Sequence, residues 1–339
     1  MPDPYVSVIV TAHDRRRYLP EALHSLEAQT LSKDKFEVIV VKNFEDPISD
    51  EIIRRNGWKN VVTDVVPVGS KIAIGLEEAR GEVITFLEDD DMYAPERLRI
   101  IAGTFQNYGD LTYFHNGCVI INSKGEVIGL CNDLRDMLIR TPPKYCRLLF
   151  SNAVSFHNTS SIAESSWILH KMKRYIKKIN ATPDFALLSF AVLVDGMILL
   201  SGKRLTLFRV HGQSTDAHTY RLRAGHWRKS VAQLERAYLA WMYDHALLAQ
   251  LFSNHPCYDY LKLPELVKRL EVSAAPDGVI DRKISTSPLD FVRAFQLQFK
   301  TGSRDIKLTM VLALDSILSK SPGKIRELYW FIRWELGKK

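Results

Sequence analysis

The sequence predicts an α/β fold: a mostly parallel sheet with helices on both faces, followed by a helical C-terminal region. Two observations predict it. Short β-branched runs alternate with helical patterns over the first hundred residues, which is typical of βαβ units. The last third instead carries long apolar patterns at three- and four-residue spacing, the period of amphipathic helices. We therefore expect an α/β domain at 1–218 and a helical region at 219–339.

The predicted elements of the first third follow one another at regular intervals. Each strand is a short apolar run, the pattern of a strand buried on both faces. Pro20 lies near the first position of the first predicted helix, and Gly81 ends the third. The strands are predicted at Val6–Val10, Phe36–Val41, Asn60–Val66 and Val83–Leu87, and the helices at Tyr18–Gln29, Ile48–Arg55, Ile72–Arg80 and from Pro95 onward.

Composition narrows the class of protein. The chain has 339 residues, of which 46% are hydrophobic and 25% charged, so a disordered or collagen-like chain is excluded. No apolar run reaches the roughly 18 residues of a membrane-spanning helix, and a strand pattern begins too early for a signal peptide. Four cysteines without CxxC spacing indicate neither a zinc ribbon nor a disulfide framework. We expect a reducing, cytoplasmic location.

The basic excess lies in the last third. Residues 219–339 hold 20 Lys and Arg against 12 Asp and Glu, which favours a docking segment over a nucleic-acid surface. Residues 324–334 mix cations with aromatic residues, among them Trp330, Phe331 and Trp334. This composition suits an interfacial helix on the inner face of an anionic cell membrane. A packed terminal helix or a homodimer contact is the alternative.

Four carboxylates, 88–91, follow directly on the fourth predicted strand. Ligands of parallel sheets bind beyond the carboxyl ends of the strands. Carboxylates held there suit a hard cation such as Mg²⁺ or Mn²⁺, which would neutralise a diphosphate leaving group. A solvated acidic surface is the alternative.

Five segments in this order resemble the opening of the family-2 glycosyltransferases with the GT-A fold. The resemblance is strong over 5–115, thinner over 115–218 and absent afterwards. The segments are Val6–Arg15, Leu19–Thr30, Phe36–Val41, Glu78–Ile84 and Leu87–Leu98.

The resemblance implies an inverting hexosyltransferase that moves a sugar from a nucleotide-diphosphate donor to a hydroxyl of a glycan or lipid-linked acceptor. It implies Mn²⁺ or Mg²⁺ as cofactor. Residues 1–115 would then form the nucleotide-binding half of the domain, and 116–218 the acceptor half.

The resemblance also implies roles for individual residues. Thr11 and Asn43 would contact the base, Lys71 the base or diphosphate, and Asp89 the ribose. Asp90 would hold the metal, with Asp91 and His211 beside it. Arg209 would bind the diphosphate, and Asp184 would be the general base. Asp14 matches a polar position that caps the first helix or contacts ligand, Lys71 could equally be solvated, and Asp184 could be only a helix cap.

One departure from the family concerns base recognition. Where the family commonly has two aspartates after the second strand, this chain has Lys42 and Asn43. Asn43 can still donate and accept hydrogen bonds. Lys42 removes a negative charge where the nucleotide is expected, which predicts either a donor other than a standard uridine-linked sugar or an unusual mode of donor binding.

Two other functions are alternatives for a sheet of this kind. A sugar-phosphate nucleotidyltransferase would need a Gly-rich basic loop after the first strand, and 15–17 supply three arginines but no glycine. A non-catalytic glycan-binding protein on the same fold would not need the acids that are present.

Overall fold

The computed structural model describes residues 3–131, 135–151, 155–211, 227–274 and 286–302, with isolated positions at 284 and between 313 and 329. The chain divides into two compact units, Met1–Arg209 and Val210–Lys339. The predicted boundary between 218 and 219 falls outside the described residues and stays a prediction.

The first unit begins with the alternation that the sequence predicts. Each predicted strand and helix of the first hundred residues is present, with ends shifted by a few residues. The elements are β1 (Val6–Thr11), α1 (Leu19–Glu27), β2 (Phe36–Lys42), α2 (Pro47–Arg55), β3 (Lys59–Val62), α3 (Val68–Glu78), β4 (Val83–Glu88), β5 (Met92–Tyr93) and α4 (Arg97–Asn107).

Further strands and helices follow in the rest of the first unit. Its elements are β6 (Leu111–Ile121), β7 (Val127–Leu130), β8 (Met137–Ile139), α5 (Cys146–Ser151), β9 (Ile162–Ser165), α6 (Ser166–Ile176), α7 (Pro183–Leu193) and β10 (Met197–Arg209).

The strands form one sheet in the order β3-β2-β1-β4-β9-β6-β10-β5, with β7 paired to β6 and β8 to β10. The β3-β2-β1-β4 block is parallel, which confirms the α/β class. β9 runs antiparallel to both its neighbours, so the complete sheet is mixed.

Both faces of the central strands are buried, as their continuous apolar runs predict. Val8 and Val10 belong to the same core cluster as Leu23 of α1. Ile9, between these two valines, points to the opposite face of the sheet and contacts α3. The contact is close: a β-carbon added at Gly75 of α3 would lie 2.6 Å from Ile9 Cγ2. The strands of this block are therefore packed on both sides.

The cysteines correct a prediction. Cys118 of β6 and Cys131 after β7 form a disulfide, with Cα atoms 5.1 Å apart. This disulfide could not be predicted, because a separation of 13 residues does not reveal the hairpin that places the two cysteines opposite each other. Cysteine content therefore no longer supports a reducing compartment.

The second unit is helical in its described part, as predicted. Its helices are α8 (Trp227–Leu251), α9 (Tyr258–Ser273) and α10 (Pro288–Lys300). Leu266 and Leu270 of α9 pack with Ala294 of α10. Among the described residues, no helix has the length and apolar character needed to cross a bilayer. Trp330, Phe331 and Trp334 lie outside the described residues.

Candidate active site

The carboxyl ends of β1 and β2 are joined by a reciprocal side-chain pair. The Asn43 side-chain amide donates to Asp14 Oδ1 at 2.7 Å, and the Asp14 backbone N–H donates to Asn43 Oδ1 at 2.9 Å. Asp14 adopts a left-handed backbone, with φ of 55°. It does not cap α1, whose N-cap residue is Tyr18. That part of the expectation is wrong, because the loop after β1 runs four residues beyond Asp14 before the helix begins.

The acid loop, Glu88–Asp91, follows β4. Asp89, Asp90 and Asp91 are buried, so the alternative of a solvated acidic surface is wrong for these three. Burial raises the pKa of Asp89 and of Asp91 to about 7, and repulsion from Asp90 adds to both shifts. Burial also raises the pKa of Glu88 well above its usual value.

One face of the acid loop offers oxygen atoms to a ligand. Glu88, Asp90 and Asp91 each place a carboxylate oxygen within 4.8 Å of the others. Asp91 Oδ1 accepts from the backbone N–H of Arg209 at 2.9 Å. Its second oxygen, Oδ2, is buried and has no hydrogen-bond donor in the described part of the chain. A buried oxygen left open in this way fits a hard cation.

Cationic groups surround the other face of the acid loop. Arg15 donates from Nη1 to Asp90 Oδ2 at 2.6 Å and from Nη2 to Asp89 Oδ1. The backbone N–H of His13 donates to Asp89 Oδ2 at 3.2 Å. Lys71 Nζ lies 2.8 Å from His13 Nδ1, and burial lowers the pKa of Lys71 to about 8. Lys71 is thus buried beside Asp89, and the alternative of a solvated lysine is wrong.

Arg209 braces the acid loop from the end of β10. Its guanidinium is fully buried and donates from Nε to the Asp90 carbonyl at 2.9 Å. It also pairs with Glu21 at 2.6 Å and donates to the Asn122 carbonyl at 3.2 Å. These contacts position the loop. The contact of Arg209 with a diphosphate stays a prediction.

A short turn before β9 supports the loop from a third side. Ser160 Oγ accepts from the Glu88 backbone N–H at 3.0 Å. Asn158 has a left-handed φ of 71° and accepts from the Ser160 N–H at 2.9 Å. Both side chains approach Asp91 closely enough to offset part of its pKa rise. Neither Ser160 nor Asn158 is among the site residues that the sequence predicts.

Asp184 lies in the first turn of α7, half-buried. Its carboxylate contributes to the raised pKa values of Glu88 and Tyr113, which places it near the acid loop. The N-cap residue of the helix is Thr182, and Asp184 Oδ1 accepts from the adjacent Phe185 N–H at 2.8 Å. Because the Asp184 carboxylate satisfies a backbone N–H of the first turn, both the helix-capping role and the role of general base stay predictions.

Thr11, Lys42 and His211 complete the residues that the sequence analysis named. Thr11 ends β1, two residues before His13. His211 is buried and belongs to the second unit. Lys42 corrects the expectation about base recognition: its ammonium is buried, pairs with Asp50 of α2 at 2.9 Å and donates to the Phe44 carbonyl. Its charge is neutralised inside the protein, because the side chain of this strand residue points toward α2.

Sequence reasoning missed Arg15 as a site residue. The run 15–17 was visible as three cations, yet only Arg15 contacts the acids. Its position directly after the first strand, the place where parallel sheets bind ligands, is the signal that could have singled it out.

Comparison with known proteins agrees with this geometry. Residues 7–126 match the sequence model of glycosyl transferase family 2. An uncharacterised glycosyltransferase of Nostoc sp. is 24% identical over 246 residues, covering 68% of this chain and 72% of the relative. The putative glycosyltransferase EpsH of Bacillus subtilis is 31% identical over 101 residues, covering 28% of this chain and 29% of the relative.

A staphylococcal enzyme is similar in both sequence and fold. The poly(ribitol-phosphate) β-N-acetylglucosaminyltransferase TarS of Staphylococcus aureus is 27% identical over 125 residues, which cover 35% of this chain and only 21% of that protein. The crystal structure of TarS 1-349 superposes with a TM-score of 0.55 at 17% identity, covering 96% of this chain and 90% of that one. The structure of TarS 1-349 in complex with UDP gives 0.52 at 16% identity, covering 91% and 89%. Residues 7–126 therefore match glycosyl transferase family 2, the chain has the GT-A fold of TarS, and these likenesses together indicate that the protein is a glycosyltransferase.

Proposed function

We propose that the protein is an inverting, divalent-metal-dependent hexosyltransferase that uses a nucleotide-diphosphate sugar. The observation that carries this proposal is the acid loop: three carboxylates converge, one buried oxygen of Asp91 is left open, and Asp184 lies nearby. The acceptor is a hydroxyl of a glycan or of a lipid-linked glycan.

Asp90, Asp91 and Glu88 are the residues that would hold Mn²⁺ or Mg²⁺. Their donors are all carboxylate oxygens, which both ions prefer. The ion would neutralise the charge that develops on the diphosphate leaving group. His211 stays a proposed ligand, from the resemblance to the family.

The nucleotide would lie over the ends of β1 and β2. Asn43 and Asp14 place an amide and a carboxylate there. His13 links two further residues of the set, since its ring nitrogen contacts Lys71 Nζ and its backbone N–H donates to Asp89. Thr11 completes the set at the end of β1. Since TarS is crystallised with UDP and with UDP-GlcNAc, UDP is the probe of choice.

Asp184 would take the proton of the acceptor hydroxyl. In an inverting transfer the new bond forms from acceptor oxygen to anomeric carbon as the bond from that carbon to the diphosphate oxygen breaks. The proton passes to the Asp184 carboxylate, and the bonding electrons leave with the diphosphate. The half-buried position of Asp184 leaves it reachable from outside.

The helical unit would bind an anionic membrane surface, and a homodimer is the competing arrangement. Its basic excess supports the membrane, and so does α10, where Leu289, Val292 and Phe299 are exposed. Such binding would place the protein peripherally, on the cytoplasmic face. Flotation with anionic vesicles tests it, and absence of binding at low salt would contradict it.

The main experiment measures UDP binding with and without Mn²⁺ by calorimetry. Wild-type protein should bind UDP in a Mn²⁺-dependent way, and Asp90→Asn should lose that dependence because a metal ligand is gone. Asp110→Asn is the matched control, since Asp110 is exposed at the start of β6. Unchanged Mn²⁺-dependent affinity in Asp90→Asn would refute the metal assignment.

A further inference from the structure

Arg15 occupies a position between the acids and the loop that follows β1. Its guanidinium donates to Asp89 and Asp90 together, and its side chain is 22% exposed. The neighbouring arginines behave differently. Arg16 lies over the Phe44 ring and Arg17 over the Tyr18 ring, at 4.9 and 5.0 Å. Neither contacts a carboxylate within the described residues, so position 15 alone is selected for the acids.

A divalent ion and Arg15 would compete for the same carboxylate. Asp90 Oδ2 already accepts from Arg15 Nη1 at 2.6 Å, and Asp90 also belongs to the group of oxygens that would hold the ion. Two cations sharing one carboxylate in a buried site repel each other strongly, because water screens them little there. Binding of the ion therefore weakens the contact of Arg15.

The structure allows Arg15 to leave. It lies in the irregular segment between β1 and α1, where no helix or strand fixes its backbone. Asp89 also accepts from the His13 backbone N–H. It therefore keeps one hydrogen bond when the Arg15 guanidinium moves away. A guanidinium released beside a metal-bound diphosphate finds oxygen pairs that match its fork of donors.

We infer that Arg15 is a movable counter-ion, which holds Asp89 and Asp90 in the absence of the divalent ion and transfers to the diphosphate of the donor once the ion is bound. The inference rests on the proposed function. It gives Arg15 opposite effects on the two ligands: it opposes the ion and favours the nucleoside diphosphate. A residue that merely stabilised the loop would favour both.

The experiment compares Arg15→Gln with Arg17→Gln, the same substitution two residues away. Mn²⁺ alone is titrated first, and UDP and UMP are then titrated at saturating Mn²⁺. In Arg15→Gln we expect Mn²⁺ to bind about tenfold more tightly and UDP about tenfold more weakly, the size expected for one charge-assisted contact. UMP should lose less than UDP, because it lacks the second phosphate. Arg17→Gln should match wild type in all three.

The outcomes separate the inference from the proposed function. Weaker Mn²⁺ binding in Arg15→Gln, or unchanged UDP affinity, overturns the inference while leaving metal-dependent binding in the wild type intact. Failure of wild-type protein to bind Mn²⁺ overturns the proposed function itself. Thermal unfolding without Mn²⁺ checks the fold: Arg15→Gln should unfold earlier than Arg17→Gln and recover the difference when Mn²⁺ is added.

Discussion

The sheet buries carboxylates in two regions, which differ in the hydrogen-bond donors and cations around them. In the acid loop, Asp89 and Asp90 meet the guanidinium of Arg15, and Asp91 accepts from the Arg209 N–H. In the middle of β9, Glu164 is fully buried, and neither of its carboxyl oxygens has a hydrogen-bond partner in the described structure. Burial alone raises the pKa of Glu164 well above its usual value.

The difference lies in what surrounds each group. Glu164 is paired in register with Ile84 and Tyr113, inside the sheet. The acid loop lies past the end of β4, where cations and backbone N–H groups converge and a ligand can approach. Burial without donors gives a neutral carboxyl group, whereas burial with fixed donors and one open oxygen gives a candidate binding site.

The largest expected effect concerns a third kind of carboxylate, the half-buried Asp184. Asp184→Asn should lower the turnover of sugar transfer by about 10²- to 10⁴-fold, the range for a general base. UDP affinity should stay unchanged, because the base acts mainly in the transition state. Steady-state kinetics and calorimetry measure the two. Asp195→Asn, at the other end of the same helix, is the control, and lost UDP affinity in Asp184→Asn would indicate a binding role instead.

A smaller effect distinguishes the two buried regions directly. Asp91→Asn should weaken Mn²⁺ binding at least about tenfold, because the open oxygen becomes part of a neutral amide. Glu164→Gln should leave Mn²⁺ affinity unchanged. Calorimetric titration of both variants with Mn²⁺ tests this contrast. An equal loss of Mn²⁺ affinity in the two variants would contradict the assignment of the metal site to the acid loop.

The smallest expected effect is on stability. Burial holds the pKa of Glu164 well above its usual value of 4.5, so between pH 4.5 and the raised pKa the folded protein keeps a carboxyl proton that the unfolded chain loses. The folded state thus binds more protons, and stability falls as pH rises from 4.5 toward the raised pKa. Glu164→Gln removes this loss.

We therefore expect the melting temperature of Glu164→Gln to exceed that of wild type by about 2–4 °C at pH 8, the shift that 1 kcal/mol produces in a domain of this size. The gain should shrink at pH 5. Scanning calorimetry across this range measures it, with Glu82→Gln, an exposed position, as control. A gain that does not depend on pH would contradict a protonated Glu164.

Local pattern predicted most of the first unit. β1 was expected at Val6–Val10 and occupies Val6–Thr11, since a β-branched run between polar segments determines a buried strand almost alone. The acid loop could be placed at a strand end by the same reasoning. Its role as a metal site stays a prediction.

Contacts between distant residues could not be predicted. Arg15 meets acids 74 and 75 residues away, and Lys42 turns toward Asp50 rather than toward the expected nucleotide. Both depend on which way a side chain points from a loop or strand end, and no periodicity records that direction. The Cys118–Cys131 disulfide escaped prediction in the same way.

The antiparallel β9 has a consequence for synthesis on the ribosome. The parallel block β3-β2-β1-β4 is complete once Glu88 has emerged, but in the described structure the strand between β4 and β6 is Ile162–Ser165. Until that short segment leaves the exit tunnel, β4 presents an unpaired edge, the kind of surface that recruits foreign strands. The nascent chain therefore spends more than seventy residues of elongation with its central sheet open, and that interval is where a chaperone is most needed.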